Sequence, residues 1–201
     1  MNVLVIGGTR GTGRAVVAAA FAAGHTLTVM ARNAAGFARS VTGVRLVVGD
    51  AADADDVDRA IAGQDAVVWT VGARRLRRDV PLFSRGTAHV LAAMRRHGVR
   101  RLICVTGHAT GGRGPLGTPL FAAAVAVDKS RQEALVRDAD VEWTIVRPAA
   151  LRDGKATGLF QALTVAPEGR AKRIARADVA EFIVENLDAP DFVRSTVVLT
   201  G

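Results

Sequence analysis

The sequence predicts an α/β fold, a doubly wound parallel sheet with helices on both faces. Two observations carry that prediction. Short, strongly apolar runs alternate with longer helix-like segments along all 201 residues. Strands covered on both faces read as continuous apolar runs, as parallel strands under helices do. The second observation is local: the apolar run NVLVI leads straight into GGTRGTG at 7–13, a glycine-rich turn placed where a first strand meets a first helix.

Taken in order, VLVIG (3–7) is the first strand, followed by a helix from Thr12 to about Ala23 that Gly24 closes as a C-terminal cap. TLTVMA (26–31) and VRLVVG (44–49) are the next two strands. ADADDVDRAIAG (52–63) opens with acids and closes with glycine, which suits the dipole of a capped helix. DAVVWT (65–70) is the fourth strand, and a long helix runs from Pro81 to His97, ending at Gly98. RLICVT (101–106), a helix near 120–138, VEWTIV (141–146), a helix near 177–187 and STVVLT (195–200) complete the pattern. Two stretches read as irregular, 107–119 and 147–175. The first, GHATGGRGPLGTP, follows the fifth strand, where open α/β sheets bind ligands. It reads as a substrate lid or as a plain surface loop.

No linker or internal repeat divides the chain, so 1–201 is expected to be a single domain with its substrate loops at 107–119 and 147–175. Cys104 has no partner for an internal disulfide and lies in an apolar run, which suits a small core residue in a reducing compartment. Neither a charged-then-apolar leader nor a membrane-length apolar stretch is seen. The expectation is a cytoplasmic protein without membrane association, monomeric or a small homo-oligomer. The net charge of +8 comes from 27 basic against 19 acidic residues, and 24 of the basic ones are arginine. A basic balance can signal nucleic acid. These arginines are scattered, without a basic helix or interleaved aromatics, so no nucleic-acid partner is expected. No metal site is expected either.

In GGTRGTG, Gly7, Gly11 and Gly13 permit the tight turn, the close backbone approach to a diphosphate and close helix–sheet packing, and the helix N-terminus offers free N–H groups to an anion. Strand before and helix after make the pattern credible, and no GxxxxGK[ST] is present. This is a Rossmann-like dinucleotide cradle, with Thr9, Arg10 and Thr12 as its remaining contacts. An NAD site usually carries an acid about 20 residues on, for the ribose 2′-hydroxyl. Arg32 stands 19 residues after Gly13, and no acid occurs between Gly13 and Asp50. Planar guanidinium forks on Arg10 and Arg32 suit a 2′-phosphate, so the cofactor reads as NADPH (NADP+). The other reading of Arg32 is a solvated strand-end charge. By topology, Asp50 with Ala51 meets the adenine, and Val71, Gly72, Ala73 and Arg74 line the ribose and diphosphate. The basic run of Arg74, Arg75, Arg77 and Arg78 is either a solvated loop or a gate for phosphates or an anionic acceptor.

These segments together resemble the atypical short-chain dehydrogenases of the NAD(P)H-binding, NmrA-like group, and within it the biliverdin reductase B-like, NADPH-dependent flavin reductases. GGTRGTG, TVMAR, VVGDAADADDVDRAIAGQDAVV, GTAHVLAAMRRHGV, EWTIVRPAAL, RADVA and VVLTG carry the likeness over nearly the whole chain. The departures are informative. The cradle spacing Gly7-xxx-Gly11-x-Gly13 is that of the tyrosine-dependent dehydrogenases, yet the chain has no tyrosine. Lys129 can fill the lysine position of their Tyr-x-x-x-Lys pair, but Val125 stands where the tyrosine belongs, so phenol-based carbonyl chemistry is excluded. The flavin reductase-like Thr-Ser pair is Thr106-Gly107 here, and Ala150 replaces the histidine that follows that group's Pro-Pro pair.

The resemblance implies that Thr106 and the segment VRPAAL, with Pro148, Ala149 and Leu151, flank the nicotinamide. Thr106, His108, Thr110 and Lys129 remain as polar groups near it. His108 has the pKa suited to proton shuttling, or is a solvent-exposed loop histidine. Hydride transfer to a flavin, quinone or biliverdin-like ring builds an anion that the acceptor delocalises, so the protein chiefly positions two rings. The reading is an NADPH-dependent reductase of a small, conjugated, planar acceptor, with FMN or FAD as substrate and not as bound prosthetic group. Its counterpart from another class is a non-catalytic NADP(H)-binding redox sensor of the NmrA-like type.

Overall fold

The structure is a computed structural model and describes residues 1–33, 35–38, 42–72, 81–107, 120–165 and 171–201. Ten strands and six helices follow in chain order within these residues: β1 Asn2–Ile6, α1 Gly11–Ala22, β2 Thr26–Ala31, α2 Ala35–Ala38, β3 Val44–Val48, α3 Ala54–Ile61, β4 Ala66–Trp69, α4 Leu82–His97, β5 Arg101–Val105, α5 Leu120–Arg137, β6 Glu142–Pro148, β7 Leu151–Arg152, β8 Gln161–Leu163, β9 Ile174–Ala175, α6 Arg176–Asp188 and β10 Ser195–Thr200. The main sheet has the order β3-β2-β1-β4-β5-β6-β10-β8. Every neighbouring pair in it is parallel except β10–β8.

Alternation of side chains along the strands divides the core into two apolar layers. Val3, Val5, Leu27, Val29, Val68, Ile103 and Val197 face Val16, Val17 and Ala20 of α1 and Val179, Phe182 and Ile183 of α6. Leu4, Ile6, Met30, Val67, Trp69, Leu102 and Cys104 face Val57 and Ile61 of α3, Phe83 and Met94 of α4 and Val136 of α5. Both faces are thus covered, which is why the strands could be read as unbroken apolar runs. Cys104 is fully buried.

The helix ends follow local chemistry. Asp53 accepts from the backbone N–H of Asp55 and Asp56 and so caps α3. Gly24 takes φ +84°. With the Gly24 N–H on Phe21 O at 3.0 Å and the His25 N–H on Ala20 O at 3.1 Å, α1 ends in a Schellman motif. The stretch 147–175, expected to be irregular, is corrected by the structure. It carries the end of β6 and three short strands. β7 pairs with β9 in a separate two-stranded ribbon, and β8 lies antiparallel on β10. Elements of two or three residues give too few alternations for a periodic signal, and their pairing comes from the partners' backbone. No helix among the described residues is long and apolar enough to cross a membrane.

Candidate functional site

Strand order reverses between β1 and β4, whose connections leave in opposite directions, and this switch point is where an open sheet presents a crevice. The register places Ile6 beside Met30 and Trp69. The residues one or two steps beyond, Gly7, Arg32, Thr70 and Val71, therefore come out along one edge. Gly7 has φ +87°, and a Cβ on it would lie 3.1 Å from the Val71 nitrogen. Gly13 is the most constrained: its Cβ would stand 2.4 Å from Gly7 O and 2.5 Å from Thr70 Oγ1. The turn and the first turn of α1 are thus pressed onto the ends of β1 and β4. Gly8 joins them, since its Cβ would meet Val5, Val17 and Val29 at 3.0–3.1 Å.

The N-terminus of α1 differs from that of α3. Arg10 at the cap position is extended and makes no side-chain cap hydrogen bond, no side chain among the described residues accepts from the first turn, and no acid lies in that turn. N–H donors without a side-chain acceptor at a positive dipole end fit the oxygens of a diphosphate. Thr9 and Thr12 are half-buried beside them, and Arg10 and Arg32 are exposed. Neither arginine has an ion pair or a side-chain hydrogen bond among the described residues. Asp50, just past β3, divides its two oxygens. Oδ1 accepts from the Ala52 N–H at 3.0 Å, while Oδ2 has no donor among the described residues. Ala51 is buried, and its carbonyl lies 3.4 Å from His89 Nδ1. Val71 is half-buried and Gly72 exposed. Ala73, Arg74, Arg75, Arg77 and Arg78 lie outside the described residues, as do His108, Thr110 and nearly all of loop 107–119.

Thr106 follows β5 and is buried, 7% exposed. Its hydroxyl donates to Glu133 Oε1 at 2.7 Å, and its carbonyl accepts from Lys129 Nζ at 2.5 Å. The Glu133 carboxylate, 1% exposed, is also held by Arg147 at 2.5 Å and Arg137 at 2.7 Å. Burial alone would push the Glu133 carboxyl up. Hydrogen bonds from Arg147 and Thr106 outweigh burial and hold it below the usual carboxylate range. Burial likewise lowers the Lys129 ammonium, which sits 4.9 Å over the Phe83 ring. The spacing Lys129-xxx-Glu133 places both on one face of α5. The network ties α5 to the ends of β5 and β6, and it commits the Thr106 hydroxyl proton to a carboxylate.

Pro148 and Ala149 are buried at the end of β6, with the Ala149 N–H on Leu199 O at 2.8 Å. Ala150 O accepts from the Ile174 N–H at 3.1 Å, and Leu151 opens the β7–β9 ribbon that leads into α6. Asp178 in the first turn of α6 accepts from the Thr157 and Gly158 N–H groups at 2.6 and 3.0 Å. Sequence reasoning did not single out Glu133, or Arg176, whose Nε lies 3.7 Å from where a Gly11 Cβ would be. Among the described residues, no three His, Cys, Asp or Glu side chains gather to hold a metal ion.

A mostly parallel, doubly wound sheet with a glycine turn at its switch point defines the class: an NAD(P)-binding Rossmann fold of the oxidoreductase type. The family model described as NAD(P)H-binding matches residues 7–190, and the chain belongs to that family. It is 29% identical over 155 residues to the UPF0659 protein YMR090W of Saccharomyces cerevisiae, covering 75% of this chain and 68% of the yeast protein. Identity reaches 38% over 114 residues with the 3-diazoavenalumate denitrifying reductase of a Streptomyces species, covering 51% of this chain and 36% of that protein. Among solved structures, ChuY, an anaerobillin reductase from Escherichia coli O157:H7, superimposes with a TM-score of 0.84 at 26% identity, over 100% of this chain and 97% of that one.

Proposed function

We propose that the chain is an NADPH-dependent reductase that delivers hydride to a small, conjugated, planar acceptor such as a flavin, a quinone or a biliverdin-like ring. In this reading the first-turn N–H groups of α1, with Gly7, Thr9, Gly11, Thr12 and Gly13, hold the diphosphate. Arg10 and Arg32 take the 2′-phosphate, Asp50 Oδ2 accepts from the adenine amino group beside Ala51, and Val71 and Gly72 border the ribose. Thr106, Pro148, Ala149 and Leu151 flank the nicotinamide. NADPH, when bound, supplies the hydride.

The observation that carries the choice of acceptor is the Thr106–Glu133 hydrogen bond in a chain with no tyrosine. A hydroxyl whose proton is held by a carboxylate is a poor acid toward a nascent alkoxide, and an isolated ketone would need such an acid. A conjugated acceptor spreads the charge itself and takes its proton from water. Any proton the protein does deliver is assigned to His108 or to the Lys129 ammonium. The reductase names of the Streptomyces and Escherichia coli relatives support hydride chemistry on this scaffold.

The test follows NADPH oxidation by the purified protein with FMN, a small quinone or biliverdin, against a control without protein and against NADH. Protein-dependent turnover with NADPH, much weaker with NADH, is the expected result. Tight NADPH binding with no turnover of any acceptor would overturn it in favour of a non-catalytic redox sensor. His108→Ala and Lys129→Ala are then compared across pH. A rate profile unchanged in both assigns the proton to water.

A further inference from the structure

RADVA at 176–180 is one of the segments that carry the family likeness, and the reading above gives it no role. Its acid is structural: buried Asp178 collects the Thr157 and Gly158 N–H groups and the Thr157 hydroxyl, fixing the 153–160 turn on α6. Its arginine is not needed for that. Arg176 is the first residue of α6, which packs along α1 with both N-termini at the cradle end of the sheet. Among the described residues away from Gly11's own stretch of chain, Arg176 Nε is the neighbour within 4 Å of the point a Gly11 Cβ would occupy, at 3.7 Å. Its Nη1 donates to Asp153 Oδ1 at 2.7 Å, and its Nε has no acceptor among the described residues.

That ion pair alone does not explain the arginine. Asp153 is 93% exposed, and an exposed pair adds little to stability. What the pair does is fix where the guanidinium lies, with Nε 3.7 Å from the point a Gly11 Cβ would occupy, beside the first residue of α1. A phosphate oxygen that accepts from the first-turn N–H groups of α1 sits about 3 Å from those nitrogens. This is within a small side-chain rotation of the Arg176 fork.

We propose that Arg176 is a diphosphate-binding residue: α6 reaches over from the far end of the chain to close the open side of the cradle, and Asp153 holds the guanidinium in position. The inference rests on the cofactor reading above. Because the diphosphate is common to both nicotinamide cofactors, Arg176 contributes affinity without selecting between them, unlike Arg10 and Arg32.

The experiment titrates NADPH and NADH into the wild-type protein and into Arg176→Ala, Arg176→Lys and Asp153→Asn, with thermal unfolding of each as a check on the fold. Arg176→Ala should weaken both cofactors by the same factor, about 10- to 100-fold, the loss expected of one charge-assisted contact. Arg176→Lys should fall between, keeping the charge without the fork. Asp153→Asn keeps an Oδ1 that accepts from Nη1 and so still positions the guanidinium; it should stay within about 3-fold of wild type, since only the charge of an exposed pair is lost. Equal losses in Arg176→Ala and Asp153→Asn would make the pair a strut and overturn the proposal. So would unchanged affinity in Arg176→Ala, or a loss confined to NADPH. If Arg176→Ala does not fold, Arg176→Lys against Asp153→Asn carries the same comparison. A wild-type protein that binds neither cofactor overturns the cofactor reading and this one together, whereas normal wild-type binding with a silent Arg176 overturns this one alone.

Discussion

Gly13→Ala concentrates the cradle argument in one methyl group. The added carbon would lie 2.4 Å from Gly7 O, 2.5 Å from Thr70 Oγ1 and 2.9 Å from the Gly8 Cα. The nearest of these is about 1 Å inside ordinary van der Waals contact. None is the end of a flexible side chain: two belong to the turn's own backbone, and Thr70 is held by its bond to Ile6 O at 2.9 Å. The start of α1 must therefore move outward, away from the ends of β1 and β4. Overpacking of this kind costs about 1–3 kcal/mol of stability, and a shift of about 1 Å in a positioned site costs on the order of 100-fold in function. The assay pairs denaturant unfolding with NADPH titration. Gly36→Ala serves as control, since a Cβ there meets nothing within 4 Å among the described residues. A Gly13→Ala protein as stable as wild type and binding NADPH within twofold would show that the cradle has room for a side chain at this position.

Three further outcomes are expected. Arg32→Ala should weaken NADPH by about 1.5–3 kcal/mol and leave NADH nearly unchanged; equal losses in the two titrations would make Arg32 a packing residue. Glu133→Gln strands Arg147 and should cost about 3–5 kcal/mol of stability in denaturant unfolding. The folded Glu133 carboxyl lies below its ordinary value, so its contribution is complete above about pH 4.3 and is lost as the pH falls through the folded value. Stability measured against pH in that acid window should therefore be flatter in the variant than in wild type. Burial pushes the Cys104 thiol up to about 12, so a thiol reagent near neutral pH should label it only on unfolding; rapid labelling of folded protein would contradict its place in the core.

What could be read from the sequence was local or periodic. The β1–α1 turn announces itself because glycines, an apolar strand and a helix are contiguous, and the parallel sheet because strands buried on both faces leave unbroken apolar runs. Arg32 was conspicuous because an acid is the ordinary occupant of that place. What stayed hidden depends on residues brought together across the chain. Arg176 meets Gly11 only when the last helix packs on the first. The β8 edge is three residues long, too short for any periodicity. Thr106 looked like an available hydroxyl because nothing in its neighbourhood points to Glu133, 27 residues on. Asp50 shows the same limit in miniature: which of its oxygens is occupied depends on how the backbone turns at Ala52.

The packing of α6 on α1 also bears on how the protein is made. The cradle at 7–13 is synthesised well before the helix that covers its flank, at 176–188. The strand that completes that side of the sheet, β10, follows only at 195–200. Until both have emerged, Val3, Val5, Val29 and Val68 lie on a sheet face with α1 as its main cover. Contacts between segments so far apart in sequence form late and carry a high loop-closure cost. The growing polypeptide thus holds the glycine turn beside a partly uncovered apolar face until those segments emerge, the kind of surface that chaperones shield and that aggregation exploits.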